Sequence, residues 1–144
     1  MIIAVGADHA GFEAKEGLTA KLREWGHTVI DAGTDSSDSV DYPDFAEEVA
    51  GRVGSGEADL GLLVCGSGVG MSIAANKVAG VRAALCTCET LARLSRQHND
   101  ANVLCVGARI TGPGVLEEMV RIFIQTPFEG GRHRRRVDKM NDLD

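Results

Sequence analysis

LGLLVCGSGVGMSIAANK, residues 60–77, decides the fold. Leu60 to Val64 is an apolar run of the length that suits a buried strand. The run breaks at Cys65-Gly66-Ser67-Gly68-Val69-Gly70, and Met71 to Lys77 resumes as a segment rich in helix formers. The stretch reads as strand, glycine loop, helix. Three glycines in five residues let the backbone curl and turn successive N–H groups towards one point. The following helix adds its unpaired N–H groups and the positive end of its dipole. Such a loop suits an anion, whether bound or developing during a reaction. Cys65 stands at its lip.

Outward from this stretch the same pattern repeats. Ile2 to Gly6 reads as a first strand, followed by the turn Ala7-Asp8-His9-Ala10-Gly11 and a helix with Ala14, Leu18, Leu22 and Trp25 on one face. Thr28 to Ile30 is a second strand, and Gly33 to Asp41 a polar loop. A helix opens near Pro43 and carries Phe45, Ala46, Val49, Ala50 and Val53 inward. Beyond Lys77, Val81 to Leu85 and Val103 to Val106 read as strands four and five. Between them lies a helix with Leu91, Leu94 and the stem of His98 on one face. A fifth helix has Val115, Leu116, Met119, Val120, Phe123 and Ile124 as its apolar side. Strands alternating with crossover helices predict the α/β class: a Rossmann-like domain whose five-stranded parallel sheet has helices on both faces. Residues 1–144 are expected to form one domain, with 129–144 as an extension. Its last helix, from Arg132, has so little apolar surface that it is expected to dock on a neighbouring subunit.

Composition narrows the function. The chain has 144 residues, 44% of them hydrophobic, enough for a real core. No apolar run approaches a membrane span of about 20 residues. Met1 leads straight into a strand, so no secretory or transit segment is expected, and the cytoplasm is the expected location. The cysteines, Cys65, Cys86, Cys88 and Cys105, lie in an ordinary α/β pattern, which favours free thiols in a reducing compartment. Cys86-Thr87-Cys88 is too isolated for zinc, and no metal is expected. The net charge of −6 argues against nucleic acid as a partner. Yet residues 132–139 hold four Arg, one Lys and one Asp. A basic tail on an acidic body needs a reason.

Ligands in such folds bind beyond the carboxyl ends of the strands. Asp8, His9, Cys65 to Gly70 and Arg109 all fall there. A dinucleotide is disfavoured, because the first turn lacks the middle glycine of the fingerprint and Met71 replaces the third glycine in the second loop. No Walker A ending is present. Asp8 by itself is equally a helix cap, His98 a helix C-terminal histidine, and Cys65 a buried small hydrophobe. Ahead of a helix N-terminus, however, the Cys65 thiol is expected to ionise more easily than a free thiol, as a nucleophile or a general base. His98 and Asn99 fall at a helix-to-strand turn, on the other side of the sheet. That placement suggests a site shared between subunits.

Five segments in order, GADHAGFEAK, GTDSSDSVDYPDFA, CGSGVGMSIAANKVAGVRAA, LSRQHNDANVLCVGAR and FEGGRHRRRV, resemble the type B ribose-5-phosphate isomerases and their galactose-6-phosphate isomerase relatives. The resemblance implies a cytosolic isomerase without cofactor that interconverts an aldose phosphate and its ketose in pentose phosphate metabolism. It implies Cys65 as the base that moves a proton between two carbons. The N–H groups of Gly66, Ser67, Gly68, Val69 and Gly70, with the Ser67 hydroxyl, would receive the enediolate. His98 would be the acid that opens the furanose ring. Asp8 and Asn99 would hold sugar hydroxyls, and His9, Arg132 and Arg136 the phosphate, with Arg109 lining the site. Members without the cysteine use a glutamate at the position of Met71, a route closed here. His98 and Asn99 would come from a partner, and the full residue set in one chain implies a homo-oligomer, dimer or tetramer. Ribose 5-phosphate is the expected substrate; a six-carbon sugar phosphate, allose or galactose 6-phosphate, is the alternative within the class. A non-catalytic phosphosugar-binding module is the alternative outside it.

Overall fold

The computed structural model describes residues 1–144. Along the chain the elements are β1 (Ile2–Ala7), α1 (Phe12–Glu24), β2 (Thr28–Asp31), α2 (Tyr42–Gly54), β3 (Leu60–Cys65), α3 (Val69–Ala75), β4 (Ala83–Leu85), α4 (Glu89–Asn99), β5 (Val103–Gly107), α5 (Pro113–Gln125) and α6 (Arg132–Asn141). The sheet runs β2-β1-β3-β5-β4, and every pairing is parallel. From β1 the chain grows to one side and then, at β3, to the other. The crevice between the carboxyl ends of β1 and β3 is therefore the switch point where such sheets take ligands. No helix is long and apolar enough to cross a membrane.

Alternation along each strand fills two cores. Leu60, Leu62 and Val64 of β3 face the layer that contains Leu18 and Leu22 of α1 and Leu116, Met119, Val120 and Phe123 of α5. Leu63 and Cys65 face the opposite layer, with Val49, Ala50 and Val53 of α2 and Met71 of α3. The two layers are the helices on both faces that the sequence predicts. Phe123 is 1% exposed, so its truncation to Ala would cost about 3–5 kcal/mol. Lys15 is as deeply buried and tolerable because Asp31 meets its ammonium at 2.7 and 2.8 Å and Glu16 at 3.0 Å.

Three expectations need correction. In α4 the buried positions are Ala92 and Ser95, whereas Leu91 lies exposed. The small residues let α4 sit close to the sheet. The glycine loop hands over to α3 at Val69, two residues before Met71. The last helix does have a hold on its own subunit: His133 and Val137, one turn apart, are buried, and His133 stacks on His98 of α4, with ring centroids 4.3 Å apart. The turn before it is pinned as well, since the Glu129 N–H donates to the Gln97 carbonyl at 3.1 Å. Gly130 (φ 66°) and Gly131 (φ 54°) make this turn in the left-handed region. Arg132 and Arg136, on another face of α6, remain exposed.

Candidate active site

At the switch point a cleft of about 570 Å³ is lined by Asp8, His9, Tyr42, Cys65, Gly66, Ser67, Val69, Gly70, Ile73 and Arg109, with Ala10 and Ile110 at its edge. Its floor is backbone. β3 ends at Cys65, whose side chain is 5% exposed. The chain then turns back through Gly68 at φ 79°, a conformation that suits glycine. This turn aims the Gly68 N–H at Cys65 Sγ, 3.0 Å away. The contact holds the sulfur against the turn that follows it. The Val69 N–H donates to Ser67 Oγ at 3.2 Å, leaving the Ser67 hydroxyl hydrogen free to point elsewhere. The N–H groups of Ser67 and Gly70 have no acceptor within the chain. The loop thus offers a buried thiol, a free hydroxyl donor and spare backbone donors in one place.

The neighbouring turn after β1 is equally ordered. Asp8 is 7% exposed, and its Oδ1 accepts the N–H groups of Ala10 at 2.9 Å and Gly11 at 3.1 Å. Its second carboxylate oxygen is free to accept a hydroxyl. The His9 Nδ1 accepts the Val40 N–H at 3.2 Å, which puts the hydrogen of the neutral ring on Nε2. His9 therefore enters the cleft as a donor, suited to an anion. Arg109 leaves the end of β5 after its N–H has bonded the Gly66 carbonyl at 3.0 Å. Its guanidinium lies so near Gly66 that a Cβ there would be 3.3 Å from it.

The other two thiols of the core are different. Burial pushes the Cys86 thiol up to about 11 and the Cys105 thiol higher still. Neither touches the cleft.

One chain does not bring all the candidates together. Asp8, His9, residues 65–70 and Arg109 share the cleft. His98, Asn99, Arg132 and Arg136 belong to the α4 terminus and α6, outside it. There His98, Glu129 and His133 place ligand-type atoms within 4.8 Å of one another. The sequence reading also passed over Tyr42 and His133. Tyr42 opens α2 beside the cleft, and its ring lies over Gly70 so closely that a Cβ at Gly70 would meet it at 2.5 Å. An aromatic residue just before the helix-opening Pro43 is the one sequence signal it gave. His133 stands one helical turn before Val137, the one β-branched apolar residue of α6, and that spacing alone marked it as inward-facing.

Residues 3–140 match the family described as Ribose/Galactose Isomerase. Ribose-5-phosphate isomerase B of Escherichia coli strain K12 is 49% identical over 142 residues, spanning 99% of this chain and 95% of that protein. The structure of Clostridium thermocellum ribose-5-phosphate isomerase B superposes with a TM-score of 0.98 at 48% identity, over 99% of this chain and 97% of that one. Ribose-5-phosphate isomerase B from Mycoplasma genitalium, solved with bound ribulose-5-phosphate, has a TM-score of 0.96 at 43% identity, over 99% and 95% of the two chains.

Proposed function

This chain belongs to the ribose/galactose isomerase family of sugar-phosphate isomerases, and on that premise we propose that it interconverts ribose 5-phosphate and ribulose 5-phosphate with Cys65 as the general base. The observation that carries the mechanism is the Gly68 N–H on Cys65 Sγ at 3.0 Å, beside N–H donors of Ser67 and Gly70 that have no partner within the chain. A thiolate takes the proton from C2 of the open-chain aldose. The negative charge passes to the oxygens of an enediolate, where preorganised donors are worth most. The Ser67 hydroxyl adds a further donor. As the proton of the C2 hydroxyl passes from O2 to O1, the thiol returns its proton to C1 and gives the ketose. Tyr42, over Gly70, closes one side of this floor.

The cyclic substrate must open first. As the C1–O4 bond breaks, the ring oxygen takes a proton from His98, and the C1 hydroxyl gives one up to water, through which His98 is reprotonated. Asp8, with one carboxylate oxygen free, holds a sugar hydroxyl, and Asn99 another. His9 as a donor, together with Arg132 and Arg136, binds the phosphate, and Arg109 lines the approach. In this reading His98, Asn99, Arg132 and Arg136 come from a second copy of the chain. The rim of the cleft supports that: Val69, Ile73 and Ile110 are 46%, 59% and 63% exposed around a polar floor, surface that a partner would cover. A homo-oligomer with two halves of each site on different subunits follows, and the cytoplasm is its proposed location.

The bound ribulose-5-phosphate of the Mycoplasma genitalium relative favours a five-carbon substrate. Turnover of a panel of five- and six-carbon aldose phosphates by the purified protein tests this. Ribose 5-phosphate should give the highest kcat/KM; a preference for allose or galactose 6-phosphate would reverse the assignment.

A further inference from the structure

His98 is not held by α4 alone. Its imidazole lies face to face with that of His133 on α6, with centroids 4.3 Å apart and planes 12° from parallel. His133 is 7% exposed, and its Nε2 stands 3.5 Å from a carboxylate oxygen of Glu129. Glu129 is in turn bonded through its N–H to Gln97, the residue before His98. A short circuit therefore runs from Gln97 through Glu129 and His133 back to His98. Arg132, the residue before His133, and Arg136, one turn further along the exposed part of α6, are the proposed phosphate clamp.

We propose that His133 is a positioning residue for ring opening: its imidazole face fixes the plane of His98, and through α6 it fixes the distance between that acid and the phosphate clamp. The inference rests on the reading of His98 and the two arginines given above. A side chain on α4 with two rotatable bonds, at the last turn of a helix, is otherwise free to swing. Parallel stacking removes that freedom and gains aromatic contact. It also requires that one ring of the pair stay neutral, because two imidazolium ions at this spacing repel. His133 is the one placed to do so. Burial, His98, Arg132 and Arg136 all lower its affinity for a proton, and Glu129 alone raises it. Misplacement of a catalytic group by about 1 Å can cost about 10²-fold, so the support has something to act on.

The test uses the full-length protein in EDTA, which keeps trace transition metals off the His98, Glu129 and His133 cluster. His133→Ala removes the stacking face, and His133→Phe keeps a flat ring but cannot titrate. Val137→Ala loosens the same buried side of α6 without touching His98. Two readouts are taken: kcat and KM with ribose 5-phosphate, and exchange of solvent deuterium into ribulose 5-phosphate, which needs no ring opening. His133→Ala should lower kcat on ribose 5-phosphate by about 10-fold or more while the exchange rate stays within about twofold of wild type. His133→Phe should recover most of the lost kcat, and Val137→Ala should raise KM in both assays with no selective loss of kcat. Equal losses in both assays for His133→Ala, no rescue by His133→Phe, or the same selective loss in Val137→Ala would each overturn the positioning role. His98→Asn is measured alongside. If it is selective for the cyclic substrate and His133→Ala is not, only the positioning role falls. If His98→Asn is not selective, the ring-opening reading falls and takes this inference with it. Should His133→Ala fail to give a cooperative thermal transition, His133→Phe decides: loss of kcat there equal to that of His98→Asn would overturn the role of the ring face.

Discussion

The N–H of Gly68 points at Cys65 Sγ from 3.0 Å, three residues further along the same loop. The contact joins the end of the central strand to the start of α3 and gives the thiol a backbone N–H donor, which no other cysteine of the chain has. Cys65→Ala should fold, since the smaller side chain fits the same pocket, and should lose about 10²- to 10⁴-fold in kcat, the usual worth of a general base. Activity of the wild type should survive prolonged EDTA treatment. Near-normal turnover by the variant would remove Cys65 from the mechanism, and restoration of a lost activity by a divalent cation would replace it with a metal.

Alkylation offers a check that does not depend on turnover. Burial raises the Cys86 thiol to about 11 and Cys105 further, so at pH 7.5 both should stay unmodified by iodoacetamide in the folded protein. Cys65 should react, and a saturating sugar phosphate should slow its reaction. Mass spectrometry of the digested protein reads all four sites at once. Modification of Cys105 ahead of Cys65 would contradict the order of accessibility seen here.

Among the arginines of α6, position separates function from surface. Arg134 lies over the Phe128 ring, 4.6 Å from its centroid, whereas Arg132 and Arg136 share an exposed face. Arg136→Ala should raise KM for the sugar phosphate by about tenfold or more, the loss of a charge-assisted contact of about 1.5–3 kcal/mol. Arg134→Ala should change KM less than twofold. Equal effects would mean that the whole helix acts only as a diffuse positive field.

Because the cleft residues and the His98 group lie apart in one subunit, two crippled chains should repair each other. Cys65→Ala and His98→Asn, each nearly inactive alone, should regain activity when unfolded together and refolded as a mixture. In a dimer, a mixed pair has one site with both defects and one with neither. No recovery, with mixed oligomers verified by mass, would place the complete site within a single chain.

The acid side of the stability profile should carry the mark of His133. Its proton affinity is lowered in the folded chain by burial first, then by His98, Arg132 and Arg136, against Glu129. An unfolded histidine titrates near 6.5. The unfolded chain therefore binds this proton first, and folding stability contributed by the neutral ring is present above about pH 6.5 and lost as pH falls below it. Thermal melts of the wild type should show Tm falling between pH 7 and 5.5, with a shallower fall in His133→Phe. Parallel profiles for the two proteins would remove His133 as the cause.

Much of this was legible in the order of residues. The apolar runs at Ile2, Leu60 and Val103 announced buried parallel strands because both faces of each are covered, so no polar alternation interrupts them. Gly66, Gly68 and Gly70 announced a tight loop, since few other residues permit one. Cys65, Asp8 and His9 could be placed near each other because topology puts the ends of β1 and β3 side by side. What the sequence hid depends on contacts between distant segments. Tyr42 reaches Gly70 only because α2 packs along α3. The seat of α6 is two side chains, His133 and Val137, too few to register as an apolar face amid the six charged residues of the same helix. Leu91 read as inward from periodicity alone, while Ala92 and Ser95, small enough to bring α4 close to the sheet, took the buried side.

The close packing of the glycine loop has a further consequence, for how such an enzyme can change its diet. A Cβ at Gly68 would come within 2.6 Å of Leu85 and 2.9 Å of the Val106 backbone, and one at Gly107 would strike the Ser67 backbone at 2.6 Å. The floor of the cleft is therefore closed to remodelling by side chains: at Gly68 and Gly107 a substitution meets main chain, and at Gly70 it meets the Tyr42 ring, before it meets a sugar. Variation in substrate length must be written at the walls, in residues such as Tyr42, Ile73 and Ile110, whose side chains line the cleft. Laboratory selection for a longer or shorter sugar should accumulate its changes at those wall positions and leave the glycines untouched.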